Sequence, residues 1–181
     1  MEEQDQESAV HVEILTVDHH LLGYVTTGGR RFSTWLNLSD QRTMGMDNVT
    51  LRSLREVGTP EVSLGFALVN RESIRAVILR EAPAGSLTTE RDQKPLEYVE
   101  KTRHGVVVGL SPYAVKGYVH VAKAADLRRA LTTFPDTFMP ITEARIVYTP
   151  NPKMLWQGEV ALINRDRAQL YWPAPDARGD R

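Results

Sequence analysis

Apolar and polar residues alternate where the patterned part of the chain begins. Val10, Val12 and Ile14 are separated by His11 and Glu13, the two-residue period of a strand with one buried face. Asp18-His19-His20 interrupts this as a turn, and Leu21-Leu22-Gly23-Tyr24-Val25-Thr26 runs back as the hairpin partner, closing at Gly28-Gly29. Arg30 to Asn37 keeps neither the strand period nor a long helical one, so a short helix or loop is predicted, with Ser33 as its candidate cap and Trp35 and Leu36 laid on the core. The extended pattern resumes over Thr43 to Leu51, stops at Gly58-Thr59-Pro60, and continues over Glu61 to Val69 and Ser73 to Leu79. The pattern predicts five strands with one helical insertion between the second and the third.

The same pattern returns. Phe66-Ala67-Leu68-Val69-Asn70-Arg71-Glu72 has a near copy in Val160-Ala161-Leu162-Ile163-Asn164-Arg165-Asp166, an offset of 94 (164 − 70). Gly117-Tyr118-Val119 follows Gly23-Tyr24-Val25 at the same offset, and Leu131 and Met139 follow Leu36 and Met44 at 95. Identical residues in the same order at a nearly fixed spacing predict a tandem duplication. The expected organisation is an acidic tail over 1–9, repeat 1 over 10–80, a linker over 81–102, repeat 2 over 103–173 and a polar tail over 174–181. The linker reading rests on Pro83, Gly85 and Pro95 among polar residues, with Pro95 to Val99 as a short helix or strand inside it.

Five short antiparallel strands close most economically as a small barrel, because closure removes exposed strand edges. With a glycine in the second strand and a polar turn after the fourth, the unit resembles the Sm-like family of small β-barrels. The resemblance implies an all-β fold with minor helix: two tandem five-stranded antiparallel Sm-like barrels, each with a short helical insertion between strands 2 and 3. It places Gly23 and Gly117 on a strongly bent second strand, and the Asn-Arg-acid runs where the family has its Arg-Gly-Asp/Asn turn. The chain is also similar to an uncharacterised bacterial domain group, through Leu36-Asn37, Met44 to Val49, Phe138 to Ile146 and the two Asn-Arg-acid turns. Two departures stand out. The turn glycine is missing, leaving Asn70 and Asn164 as the residues expected to tolerate a left-handed backbone, and the family's short loop between strands two and three is replaced by the insertion containing Trp35. Both fall on the elements that hold nucleotides in Sm proteins, so the fold is the firmer implication.

Composition narrows the chemistry. The chain has no cysteine among its 181 residues, which removes disulfides, thiolate metal sites and cysteine nucleophiles. Hydrophobic residues are 41% and charged residues 25%, as in ordinary globular domains. No run approaches the roughly 20 apolar residues that span a bilayer, and Glu2-Glu3-Gln4-Asp5 lacks the features of a signal peptide. No membrane partner and a cytoplasmic location are therefore expected. The net charge of -1 conceals a basic second repeat, with nine bases and five acids over 103–173, less basic than nucleic-acid-binding domains usually are.

The Asn-Arg-acid turns are the main candidate site. Arg71 and Arg165 would bind phosphate or stack on a base while Asn70 and Asn164 read an edge; the competing and leading reading is turn chemistry, with each arginine paired to a neighbouring acid. Arg30 and Arg31, after Gly28-Gly29, are further ligand-binding candidates, set against a hairpin end with solvated arginines. The phosphate-loop pattern lacks its Lys-Ser/Thr, and the arginine motif of PilZ barrels lacks its glycine, with Arg42 in that place. Asp18-His19-His20 reads as a solvated turn rather than a metal site. Trp35, Tyr24, Tyr118, Trp156, Tyr171 and Trp172 are stacking candidates read mainly as core or interface residues. No catalytic constellation, metal site or cofactor is expected. The functional expectation is a non-enzymatic interaction or scaffold module that self-associates, or meets a protein partner, by strand-edge pairing; single-stranded RNA or nucleotide binding through the turns and the basic second repeat is the alternative.

Overall fold

A computed structural model describes residues 9–38, 40–56, 58–81, 100–123 and 125–174. The first half contains β1 (Ala9–Leu15), β2 (His19–Thr26), α1 (Phe32–Leu38), β3 (Thr43–Ser53), β4 (Val62–Asn70), a 3-10 turn (Arg71–Ser73) and β5 (Ala76–Glu81). The second contains β6 (Lys101–Leu110), β7 (Tyr113–Ala122), α2 (Leu127–Thr133), β8 (Phe138–Tyr148), β9 (Leu155–Asn164), a 3-10 turn (Arg165–Arg167) and β10 (Leu170–Pro173). The order of elements is the same in both halves, and each helix falls between the second and third strands of its half, where the alternation lapses. Ser33 lies inside α1, which begins at Phe32, so it is not the cap. Of the expected tails over 1–9 and 174–181, Ala9 belongs to β1 and Ala174 follows β10, while the other residues, and most of the expected linker including Pro95 to Val99, lie outside the described residues.

The chain is all-β with minor helix, and the strands form one open antiparallel sheet in the order β10-β6-β7-β8-β9-β5-β1-β2-β3-β4. The halves meet where β5 pairs antiparallel with β9, with Ala76 opposite Ile163, Val77 opposite Leu162 and Ile78 opposite Ala161. Successive strand residues point to opposite faces, and here the two faces belong to different cores. Val77 and Leu162 enter a cluster with Val12, Ile14, Phe32, Leu36 and Met46. Ala76, Ile78, Ala161 and Ile163 enter another with Val108, Tyr113, Val115 and Ile146. Each half therefore lends a strand to its neighbour's core, and all six paired residues are fully buried.

The long third strand of each half carries a bulge. Leu22 is opposite Thr50 and Tyr24 opposite Asp47, so three steps on β3 span two on β2; Lys116 opposite Arg145 and Tyr118 opposite Thr142 repeat this in β7 and β8. Asn48 and Glu143 sit there in the left-handed region, both at φ 50. Such a bulge bends the strand and brings its backbone close to the glycine opposite. A Cβ on Gly23 would lie 2.9 Å from the Asp47 carbonyl oxygen, and one on Gly117 would lie 2.4 Å from Ile141 Cγ2 and 2.7 Å from the Thr142 oxygen. Only glycine fits, which accounts for its recurrence in the second strand of both halves.

Candidate functional site

The Asn-Arg-acid runs each end a strand in a single 3-10 turn. Asn70 (φ -68) and Asn164 (φ -75) are extended, not left-handed. Their side chains cap the turn instead: Asn70 Oδ1 accepts from the Glu72 N–H at 3.0 Å, and Asn164 Oδ1 from the Asp166 N–H at 3.1 Å. Asparagine is selected here for its acceptor.

The arginines reach back to the inserted helices rather than to a neighbouring acid. Arg71 Nη2 donates to the Leu36 carbonyl in the last turn of α1, and its guanidinium lies 5.9 Å from the centre of the Trp35 ring. Arg165 donates to the carbonyls of Leu131 (2.8 Å), Asp136 (3.3 Å) and Phe134, and lies 5.5 Å from the Phe134 ring centre. The final carbonyls of a helix have no partner within it, and a planar five-donor cation serves several at once. Burial pushes the Arg71 pKa below its ordinary value, but an arginine still carries its charge at neutral pH.

The two turns converge on one cleft of about 240 Å³, bordered by Asn37, Arg71, Glu72, Phe138, Asp166 and Arg167. The bonds around it tie the halves together. Asn37 of α1 donates to the Phe138 carbonyl at 3.0 Å and accepts from its N–H at 2.8 Å. Asn164 Nδ2 donates to the Ile74 carbonyl at 3.0 Å, and Arg167 Nε to the Glu72 carbonyl at 3.0 Å. Tyr113 adds a buried bond from its hydroxyl to the Thr16 carbonyl at 2.6 Å.

Seen from this junction, the ends of the sheet are its unfilled counterparts. With the 94-residue offset (164 − 70; 170 − 76), β4 corresponds to β9 and β10 to β5; β9 and β5 pair with each other, whereas β4 and β10 are the sheet edges. The residues equivalent to buried Leu162, Ala76 and Ile78 are Leu68, Leu170 and Trp172, and these are 68%, 63% and 42% exposed. Asn164 is buried, while Asn70 is exposed. Phe66, two residues before Leu68 on β4, is 69% exposed. A groove of about 660 Å³ runs along β4, lined by Leu21, Leu51, Leu64, Ala67 and Leu68.

The other candidate residues lie elsewhere. Gly28 (φ 61) and Gly29 (φ 76) make the turn into α1 and leave Arg30 and Arg31 exposed, and neither arginine borders the cleft shared by the two Asn-Arg-acid turns. His19 is exposed, but His20 is not a solvated turn residue: its side chain is 14% exposed, its Nε2 lies 3.3 Å from Glu13 Oε2, and its ring packs 5.5 Å from that of Trp156. Arg80 approaches the same carboxylate at 2.9 Å. Burial alone would raise the Glu13 pKa, but the contacts with His20 and Arg80 outweigh it and hold the group down to about 2. Trp156 is core, Tyr118 lies under the Arg103 guanidinium with 3.5 Å to its ring centre, and Tyr24, 40% exposed, stacks on His11. Among the described residues no three His, Asp or Glu side chains converge as metal ligands, and no helix is long and apolar enough to cross a membrane. Asn37, Glu13 and Arg80 are the contacts that sequence reasoning missed, because each partner comes from an element distant in the chain or from an unmarked strand position. No family model, curated protein or solved structure matches the chain.

Proposed function

We propose that the protein is a non-enzymatic scaffold whose chains join head to tail, β10 of one copy adding to β4 of the next, and that its halves are duplicated Sm-like units. The observation that carries this reading is the internal β5–β9 junction, which supplies a template for the joint between chains. Shifting its register by 94 places Leu170 opposite Val69 (163 − 94), Tyr171 opposite Leu68 and Trp172 opposite Ala67 of the next copy. Such a pairing supplies partners for edge backbone groups that no strand pairs among the described residues and covers three exposed apolar side chains, Leu68, Leu170 and Trp172. It also gives Asn70 a carbonyl to meet, that of Ala168 (74 + 94), as Asn164 meets Ile74.

The joint between chains is weaker than the one inside. Arg75, which donates to the Ser111 carbonyl at 3.1 Å, and Arg80, which donates to the Gln157 carbonyl at 2.6 Å, correspond to Gln169 and Ala174 at the free edge, so those two clamps have no counterpart. Because the two edges differ, the contact is heterologous and propagates to a ring or a filament according to the rotation between copies. Single-stranded RNA or nucleotide binding ranks second, since the guanidiniums of Arg71 and Arg165 that would carry it are engaged with helix carbonyls. Sedimentation velocity across a concentration series tests the scaffold reading: reversible association is expected, and a strict monomer up to millimolar concentration would sink it.

A further inference from the structure

One cavity lies between the halves, with none of its lining residues on the edge strands β4 and β10. It is about 790 Å³, within the range of small-molecule sites, and draws its walls from both cores: Val10, Phe32 and Leu162 on one side, Val119, Val121 and Met139 on the other. Helix α1 borders it through Phe32 and Ser33, and α2 through Ala130 and Leu131. Its polar lining is one-sided. Arg31, Lys101 and His120 are exposed at its margin, and no acidic side chain is among the described lining residues. Thr142 lies within, its hydroxyl 2.9 Å from His120 Nε2.

We propose that this cavity binds an amphiphile with an aliphatic body and an anionic head, of the fatty-carboxylate class, with the chain against Val119, Met139 and Leu162 and the head between Arg31 and Lys101. Apolar walls favour the aliphatic part through removal of its surface from water. The head is chosen by charge: two permanent cations, with no carboxylate among the described lining residues, favour an anion and disfavour an ammonium. The site does not depend on chains assembling, since none of its lining residues lies on β4 or β10.

Dodecanoate, used below its micelle concentration, is the probe, and dodecyltrimethylammonium, of equal chain length and opposite charge, is its control. The protein labelled at the methionine methyl groups supplies the readout, because Met139 lines the cavity while Met44 and Met46 are buried in the other core. Saturable movement of the Met139 signal by dodecanoate, with Met44 and Met46 unmoved, is expected. The double variant Arg31→Glu/Lys101→Glu changes only exposed side chains and should weaken binding on the order of tenfold, and Ala130→Leu should weaken it by filling the cavity. The proposal is overturned if dodecanoate leaves Met139 unmoved, if the ammonium binds as well as the carboxylate, or if both variants bind dodecanoate as the natural chain does.

Discussion

Replacing Leu68 with lysine should separate assembly from folding. In the single chain Leu68 is 68% exposed, and the residue opposite it on β3 is Gly45, which offers no side chain to pack against. Its counterpart Leu162 is fully buried at the internal junction. Full burial of a leucine contributes about 2 kcal/mol, so the two-thirds still exposed leaves about 1.4 kcal/mol to be gained when β10 of another copy arrives. Lysine forfeits that gain and adds a partial desolvation cost for its ammonium of about 1–2 kcal/mol. The sum, about 3 kcal/mol, corresponds to roughly a hundredfold weaker association. Fold stability should change by no more than about 0.5 kcal/mol, as for other exposed positions. Sedimentation velocity reads the first effect and urea unfolding the second. The reasoning is refuted if Leu68→Lys assembles as the natural chain does, or if it loses stability like a core substitution.

Three further outcomes follow from the interior. Arg165→Ala should lower unfolding stability by about 2 kcal/mol, because it strips donors from three carbonyls, and Arg165→Lys should not restore it, because one ammonium does not reproduce the planar fork; full recovery with lysine in chemical denaturation would contradict the capping role. Gly117→Ala should cost about 1–3 kcal/mol by overpacking, and more than Gly23→Ala, whose added Cβ would meet its nearest atom at 2.9 Å rather than 2.4 Å; equal melting temperatures for the two variants would count against the close approach. Glu13, with its folded pKa depressed from 4.5 to about 2, contributes stability that is complete above the unfolded value and is lost as pH falls through the folded one. The stability gap between the natural chain and Glu13→Gln should therefore narrow as pH falls from 4.5 toward 2, and a gap that stays constant over that window would show that the carboxylate is not held by His20 and Arg80.

Strands and helical insertions were legible because each rests on a local signal. The alternation of Val10, Val12 and Ile14 reports a half-buried strand, and the lapse around Trp35 reports a helix. The junction of the halves was not, because alternation says which face a residue takes but not which strand lies beside it. Nothing near Ala76 announces Ile163. The asparagines show two uses of one residue type in competition: asparagine tolerates left-handed turns and also caps them, and capping prevailed at Asn70 and Asn164. Among the described non-glycine residues the left-handed ones are Asn48 and Glu143, both at the β3 and β8 bulges, and for Glu143 the bulge rather than residue preference sets the backbone. For Arg71 and Arg165 the expectation of a structural role pointed to acids, yet the partners are main-chain carbonyls, which carry no sequence signature. His20 and Glu13 became visible only when Trp156 and Arg80 enclosed them.

Head-to-tail edge pairing is tested most directly by mixing two variants that each carry one damaged edge. Leu68→Lys spoils β4 and leaves β10 intact, while Leu170→Lys spoils β10 and leaves β4 intact. Each alone should sediment as a monomer, and an equimolar mixture should form a 1:1 dimer and nothing larger, since only one joint per pair remains. A mixture that stays monomeric while the natural chain assembles, or single variants that assemble unaided, would contradict the pairing of β10 with β4.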